Sequence, residues 1–245
     1  MLVVAFLRTI AAAIFLVFYG AVLGPFFILQ AMFAGNVRIL YPFSIGGSQI
    51  GLRIAGIDPR AEGVENIPAR TCLFVCNHVS NLDPPVVVGR IPGRVALLAK
   101  RSLFRIPFLG TAMRLGRFIP VQREDPSAAR ASVRLARKYM REGISYVIFA
   151  EGTRSRDGRL GQFKRGSFLL AIEAGAPVVP VSVIGTQHLQ PRGATLIRPG
   201  IARVVFHPAL DVTQYTPATR KELSDRVRAA IASALPPDQR PLDAV

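Results

Sequence analysis

The sequence contains no tryptophan, five tyrosines, two cysteines and only fifteen acidic residues among 245. Without tryptophan, and with so little tyrosine, it is poorly supplied for stacking nucleic-acid bases. Two cysteines, Cys72 and Cys76, exclude a disulfide scaffold and a four-cysteine zinc site. They stand four apart, on one face of a strand, and read as buried small hydrophobes rather than metal ligands. Free cysteines also fit a reducing compartment. His188 and His207 lie far from any motif and read as structural or surface residues. Acid is scarce against 31 Lys/Arg, and the net charge of +16 implies an anionic partner: phosphate groups, acidic lipid, an acidic protein or nucleic acid. With 50% apolar and 19% charged residues, disorder is excluded and the chain can bury a sizeable core. There is no internal repeat, no low-complexity tract and no Gly-x-Ser-x-Gly elbow.

Charge is absent altogether from Thr9 to Val37, a run of 29 residues. That is long enough for a membrane span, but Gly24-Pro25 interrupts it, and proline inside a helix removes a donor and clashes with the preceding turn. A second apolar stretch, Val37 to Ile54, contains Gly46-Gly47. We read the segment as two helices dipping into one leaflet in preference to a span. A cleaved signal peptide fits less well, because the run exceeds the usual apolar core of such peptides and Ala31-Met32-Phe33-Ala34 is a poor cleavage site. Arg38, Arg53, Arg60 and Arg70 follow the run, which puts the body of the protein at the inner (cell) membrane on its cytoplasmic face. A boundary is expected where charged, turn-forming sequence begins, with residues 1–57 a membrane-associated helical anchor and 58–245 a separate domain.

Beyond it, short β-branched runs at 71–76, 94–99, 118–121, 145–150, 178–184 and 202–207 are nearly continuously apolar, as in a sheet covered on both faces. Helical stretches alternate with them. Asp83-Pro84-Pro85 and Asp125-Pro126 start helices; others cover 168–174, ending at Gly175, and 218–235, ending at Pro236-Pro237. The fold class is therefore α/β, a largely parallel mixed sheet flanked by helices, behind an N-terminal membrane-associated helical segment. Pro180, early in the strand 178–184, suggests an edge or a bulge.

The positive charge is concentrated: Arg90 to Arg165 holds eighteen Lys/Arg and five Asp/Glu, +13 of the total. Part of this is a solvated stripe on helix 126–142. The arginines of short turns, Arg123 and Arg154, are less easily explained that way. Several strands end in polar sequence, where ligands of open α/β sheets bind. Asn77-His78-Val79-Ser80-Asn81-Leu82-Asp83 follows the first strand. A histidine suits proton removal near neutral pH, and a carboxylate on its other ring nitrogen would fix the tautomer. Five residues of continuous helix would splay the pair apart; a turn into a helix capped by Asp83 would let them meet. Alternatively Asp83 only caps the helix and His78 is a polar loop residue. If the pair forms, either Ser80 is a nucleophile or His78 activates a substrate hydroxyl directly. Glu151-Gly152-Thr153-Arg154-Ser155 follows a later strand; its turn, hydroxyls and guanidinium can hold a phosphate. Lys164 and Arg165 can place a cation beside it, and Gly116 to Arg123 ends another strand in an arginine.

In this order the segments resemble the signature blocks of the 1-acylglycerol-3-phosphate (lysophosphatidic acid) acyltransferases, over roughly residues 60–210. The blocks are Asn77-His78 with Asp83, Gly116 to Arg123, Glu151 to Ser155, and Val179-Pro180-Val181. The first and third together, about 70 residues apart, carry the specificity. The resemblance implies that His78 is the general base and Asp83 orients it. It implies that a lysolipid hydroxyl attacks an acyl thioester, from acyl-CoA or acyl carrier protein, to form phosphatidic acid in phospholipid biosynthesis. It assigns the substrate's phosphate to Arg123 and Arg154, with Glu151 shaping the loop and Gly152, Thr153, Ser155 and Lys164 completing the site. It implies no metal and no cofactor beyond the acyl donor, and membrane lipid rather than nucleic acid as a partner. Two departures stand out: Ala150 replaces the usual proline before Glu151, and Gln122 replaces the usual aspartate before Arg123. Gln122 leaves open another acceptor, such as lyso-ornithine lipid. The competing readings are a Ser80 hydrolase and a non-enzymatic basic binder of anionic lipid or nucleic acid.

Overall fold

The computed structural model of the chain describes residues 2–121, 126–164 and 166–242. Seven strands form one sheet: β1 (Ile57–Glu62), β2 (Leu73–Cys76), β3 (Val95–Lys100), β4 (Ile119–Val121), β5 (Ser145–Phe149), β6 (Val178–Ile184) and β7 (Gly200–Phe206). Their order is β1-β7-β6-β2-β5-β3-β4. Every neighbouring pair is parallel except β6–β7, which is antiparallel. Period-two alternation sends Leu73 and Val75 of β2 into one apolar cluster and Phe74 and Cys76 into the other. The central strands are buried on both sides, which is why their sequences show no polar face.

One sheet face is covered by α6 (Pro126–Arg141), α7 (Gly166–Ala174) and α9 (Arg220–Ala234), with Ala136, Leu170, Val227 and Ile231 in its cluster. The other is covered by α3 (Leu40–Ile54) and α4 (Asp83–Val88), with Leu52, Val86 and Val87. Ala12 from α1 (Leu2–Phe18) joins that second cluster, and Ile197 N–H donates to Thr9 Oγ1 at 2.9 Å. Two short helices, α5 (Leu109–Leu115) and α8 (Thr186–Leu189), follow β3 and β6.

Two local readings change, and a third, the edge or bulge expected at Pro180, resolves to a bulge. Gly24-Pro25 does not divide the apolar run. A π-helical turn, Tyr19–Leu23, joins α1 to α2 (Gly24–Phe33), and the widened turn accommodates the proline ring without ending the helix. The result is a single 32-residue helix, Leu2–Phe33, long and apolar enough to cross a membrane. It measures about 48 Å at 1.5 Å per residue. Most of its large side chains are exposed, Phe6, Val17, Phe26 and Phe33 among them. Gly47 of α3 admits the Tyr19 ring, which lies where a Cβ would be, and lets that ring stack on Phe43 at 4.3 Å.

The segment 57–62, at the expected boundary where charged, turn-forming sequence begins, is strand β1, pairing in parallel with β7. Only one of its faces is covered, and it tolerates Pro59 because it is an edge. Pro180 lies in a central strand. Pairing there shifts by one residue, from Val181 opposite Phe206 to Val178 opposite Leu210. Pro180 O accepts from His207 N–H at 3.0 Å, so the missing N–H faces this bulge, where a ladder donor is dispensable. Phe74 is fully buried and meets Phe206 edge-on at 6.1 Å. Phe74→Ala should lower the unfolding free energy by about 3–5 kcal/mol. Guanidinium unfolding in detergent micelles measures this, and an unchanged midpoint would contradict the packing described.

Candidate active site

The loop after β2 turns sharply before α4, and the turn brings His78 to Asp83. His78 Nδ1 and Asp83 Oδ2 are 2.7 Å apart. The same oxygen accepts the N–H groups of Val79 at 2.7 Å and Ser80 at 2.8 Å, and Oδ1 accepts the Thr186 hydroxyl at 2.6 Å. Asp83 stands first in α4 but makes no side-chain cap to the helix; its acceptors face the loop behind it. The carboxylate is fully buried, and the donors around it offset its desolvation. Nδ1–H pointing at Asp83 leaves the lone pair of a neutral ring on Nε2, and His78, 14% exposed, lines a groove. Phe149 stacks on the imidazole at 4.2 Å and limits its rotation.

Asn77, buried, holds the loop from below. Its Nδ2 donates to Val183 O at 2.9 Å and its Oδ1 accepts from Val183 N–H at 2.7 Å. Ser80 is also fully buried, and its hydroxyl donates to Gln190 O at 2.8 Å. It is a loop strut, not a nucleophile on the imidazole.

The groove, 1560 Å³ in volume, runs across the carboxyl ends of β2, β3, β4 and β5 to α3. Gly152, Thr153, Arg154 and Lys164 line it together with His78. Gly152 has φ +74°, and a Cβ there would sit 2.7 Å from Lys164 Cε, so only glycine makes the turn while the lysine stem crosses it. Arg192, which sequence reasoning missed, also lines the groove and donates to Arg154 O at 2.6 Å. Lys100, Arg134 and Arg137 add positive charge; among the described residues Glu173 is the carboxylate that lines it. The remainder is apolar, with Leu97, Met113, Phe118 and Leu170 along it.

Glu151, expected to shape the loop, and Ser155, expected to complete the phosphate site, both bond to neighbouring protein groups. Glu151 Oε1 accepts His78 N–H at 2.9 Å and Oε2 accepts Gly161 N–H at 3.2 Å, so the carboxylate joins the two signature loops. Ser155 donates its N–H to His78 O at 2.7 Å and its hydroxyl to Asp157 at 2.8 Å. The Glu151 carboxylate is thus satisfied by backbone N–H groups of neighbouring loops, and the Ser155 hydroxyl by a carboxylate of its own loop. Arg123, with Gln122 and Arg165, lies outside the described residues. Cys72 and Cys76 are buried, and burial raises the Cys72 thiol to about 11.

Residues 58–184 match the family model described as Acyltransferase. The chain belongs to the acyltransferase family.

Over 149 residues the chain is 36% identical to the chloroplastic 1-acyl-sn-glycerol-3-phosphate acyltransferase of Brassica napus, covering 60% of this chain and 43% of that one. It thus spans less than half of that relative's length. It is 32% identical over 189 residues to the 1-acyl-sn-glycerol-3-phosphate acyltransferase of Borreliella burgdorferi, covering 76% and 75% of the two chains. The crystal structure of the 1-acyl-sn-glycerophosphate (LPA) acyltransferase PlsC from Thermotoga maritima superposes with a TM-score of 0.77 at 25% identity, over 95% of this chain and 98% of that one.

Burial raises the carboxyl of Glu151 from 4.5 to about 7, and the N–H donors of His78 and Gly161 pull the other way. The folded state therefore binds this proton more tightly than the unfolded chain. The group adds stability below about pH 4.5 that disappears as pH rises to about 7. Relative to Glu151→Gln, the wild type should lose stability across that window. Urea midpoints measured against pH test this; a constant difference between the two proteins from pH 4.5 to 7 would contradict it.

Proposed function

We propose that the chain transfers an acyl group from an acyl thioester to the sn-2 hydroxyl of 1-acylglycerol-3-phosphate, forming phosphatidic acid. The observation that carries the reading is the 2.7 Å contact of His78 with a buried carboxylate, in a groove that also holds Arg154 and Lys164. The relatives named for 1-acyl-sn-glycerol-3-phosphate support this acceptor over an ornithine lipid.

His78 Nε2 removes the proton of the acceptor hydroxyl, and the oxygen attacks the thioester carbonyl. Asp83 stabilises the imidazolium that forms. When the tetrahedral centre collapses, the thiolate leaves and takes its proton from His78. Arg154 and Lys164 hold the acceptor's phosphate, with Arg123 from the second signature block. Their main contribution is to fix the hydroxyl beside His78. Glu151 and Ser155 position loops and touch no substrate. The apolar stretch of the groove takes the fatty chains. The thioester comes from acyl-CoA or acyl carrier protein, and the basic rim suits the anionic groups of either. The positive residues after the apolar helix support a body on the cytoplasmic face of the cell membrane, with residues 1–57 as the anchor.

Purified protein in detergent, given acyl-CoA or acyl carrier protein thioester, should convert lysophosphatidate to phosphatidate and leave lyso-ornithine lipid unacylated. His78→Ala should lower kcat by about 10²–10⁴-fold with the fold retained. Acylation of the ornithine lipid alone would replace the acceptor, and full activity in the variant would remove the base assignment. Arg154→Ala should raise KM for lysophosphatidate by about 10- to 100-fold, the loss of one charge-assisted contact. An unchanged KM would count against the phosphate contact.

A further inference from the structure

A short segment after β3 turns its apolar side chains outward. Leu103, Ile106, Phe108 and Leu109 are 38%, 46%, 46% and 45% exposed, while Phe104 among them is buried. This is no loose loop. Ile106 N–H donates to Leu103 O at 3.2 Å, Gly110 N–H to Ile106 O at 2.8 Å, and Ala112 N–H to Phe108 O at 2.9 Å. The Arg114 guanidinium holds Phe104 O at 2.8 Å. Phe108 has φ 59° and ψ −54°, a backbone region that costs a bulky residue free energy. A strained, internally bonded turn thus presents four apolar side chains to the outside, where a water-facing turn gains nothing from them.

Three observations say what covers it. The segment continues the exposed apolar surface of α2: Ala112 and Leu115 of α5 pack with Ile28 and Ala31 of α2, and Phe26, Leu29 and Phe33 of that helix are themselves exposed. It carries two exposed cations, Arg105 within it and Arg114 just after it, and no acidic residue occurs from Pro84 to Arg123. Leu103 and Leu109, partly exposed, also line the groove that holds His78. Apolar side chains flanked by arginines suit the boundary between acyl chains and phosphate headgroups.

We infer that residues 103–109 form a second lipid-contacting element, which seats the mouth of the groove on a phospholipid bilayer beside α2. Lipid can then reach the groove without crossing water. The contact is independent of the acyl-transfer reading: it holds or fails whatever reaction the groove carries out.

Depth-dependent quenching tests it. Full-length Ile106→Cys and Phe108→Cys proteins would carry an environment-sensitive fluorophore on the new thiol, the native Cys72 and Cys76 being fully buried. Ser233→Cys, exposed on α9, which covers the sheet face away from α3 and α4, serves as the reference. The proteins are reconstituted in phosphatidylcholine–phosphatidylglycerol vesicles with nitroxide groups on the acyl chains. The labels at 106 and 108 should lose most of their emission and shift to the blue, while the label at 233 keeps its own. Labels at 106 and 108 that behave like the one at 233 would overturn the inference and leave a protein partner as the occupant of the patch.

Discussion

A carboxylate with no exposure to water has to be surrounded by donors or lose its charge, and Asp83 is such a carboxylate. Its donors come from three places: the imidazole of His78, the N–H groups of the loop that carries His78, and the Thr186 hydroxyl at the start of α8. The loop after β2 and the turn after β6 are therefore tied to one group. Asn77 repeats the tie one layer deeper, through both polar atoms of Val183. The site is rigid because its polar groups spend their hydrogen bonds on one another, leaving Nε2 of His78 turned to the groove.

The third tie is Glu151, which spans from the His78 N–H to Gly161. Burial makes this carboxylate hard to ionise, a cost that its two N–H donors reduce. In return, the loop bearing Gly152, Thr153 and Arg154 is registered against the imidazole to which a substrate hydroxyl must be delivered. The same groove then passes from a cationic end to apolar walls and on to helices whose outer surface is apolar. That gradient suits a ligand with a charged head and a fatty tail.

What was legible in the sequence was what is local. The His78–Asp83 pair lies within five residues, and the turn signals around it are strong. The central strands show themselves by unbroken apolar runs, and the helices by Asp-Pro starts and glycine stops. What was illegible depends on contacts far along the chain. Strand β1 looks like a linker because Asp58, Pro59, Arg60 and Glu62 disguise it; only pairing with β7 makes it a strand. Thr186 is 103 positions from Asp83, and Arg192 is 38 from Arg154. Neither carries a local pattern that could have found it. Glu151 and Ser155 sit inside a signature, yet a signature cannot say which of its polar side chains face the ligand and which face the neighbouring loop. Gly24-Pro25 misled for a different reason: a π-turn absorbs proline where a regular helix would break.

The central claim is that the buried Asp83 sets the tautomer and charge response of His78. The rate of acyl transfer by Asp83→Asn, in protein whose circular dichroism matches the wild type, tests it most directly. An amide keeps the shape but cannot stabilise an imidazolium, so kcat should fall by about 10⁴-fold, the cost of the same change in hydrolytic triads. A rate within about an order of magnitude of the wild type would contradict the account and return Asp83 to a purely structural role.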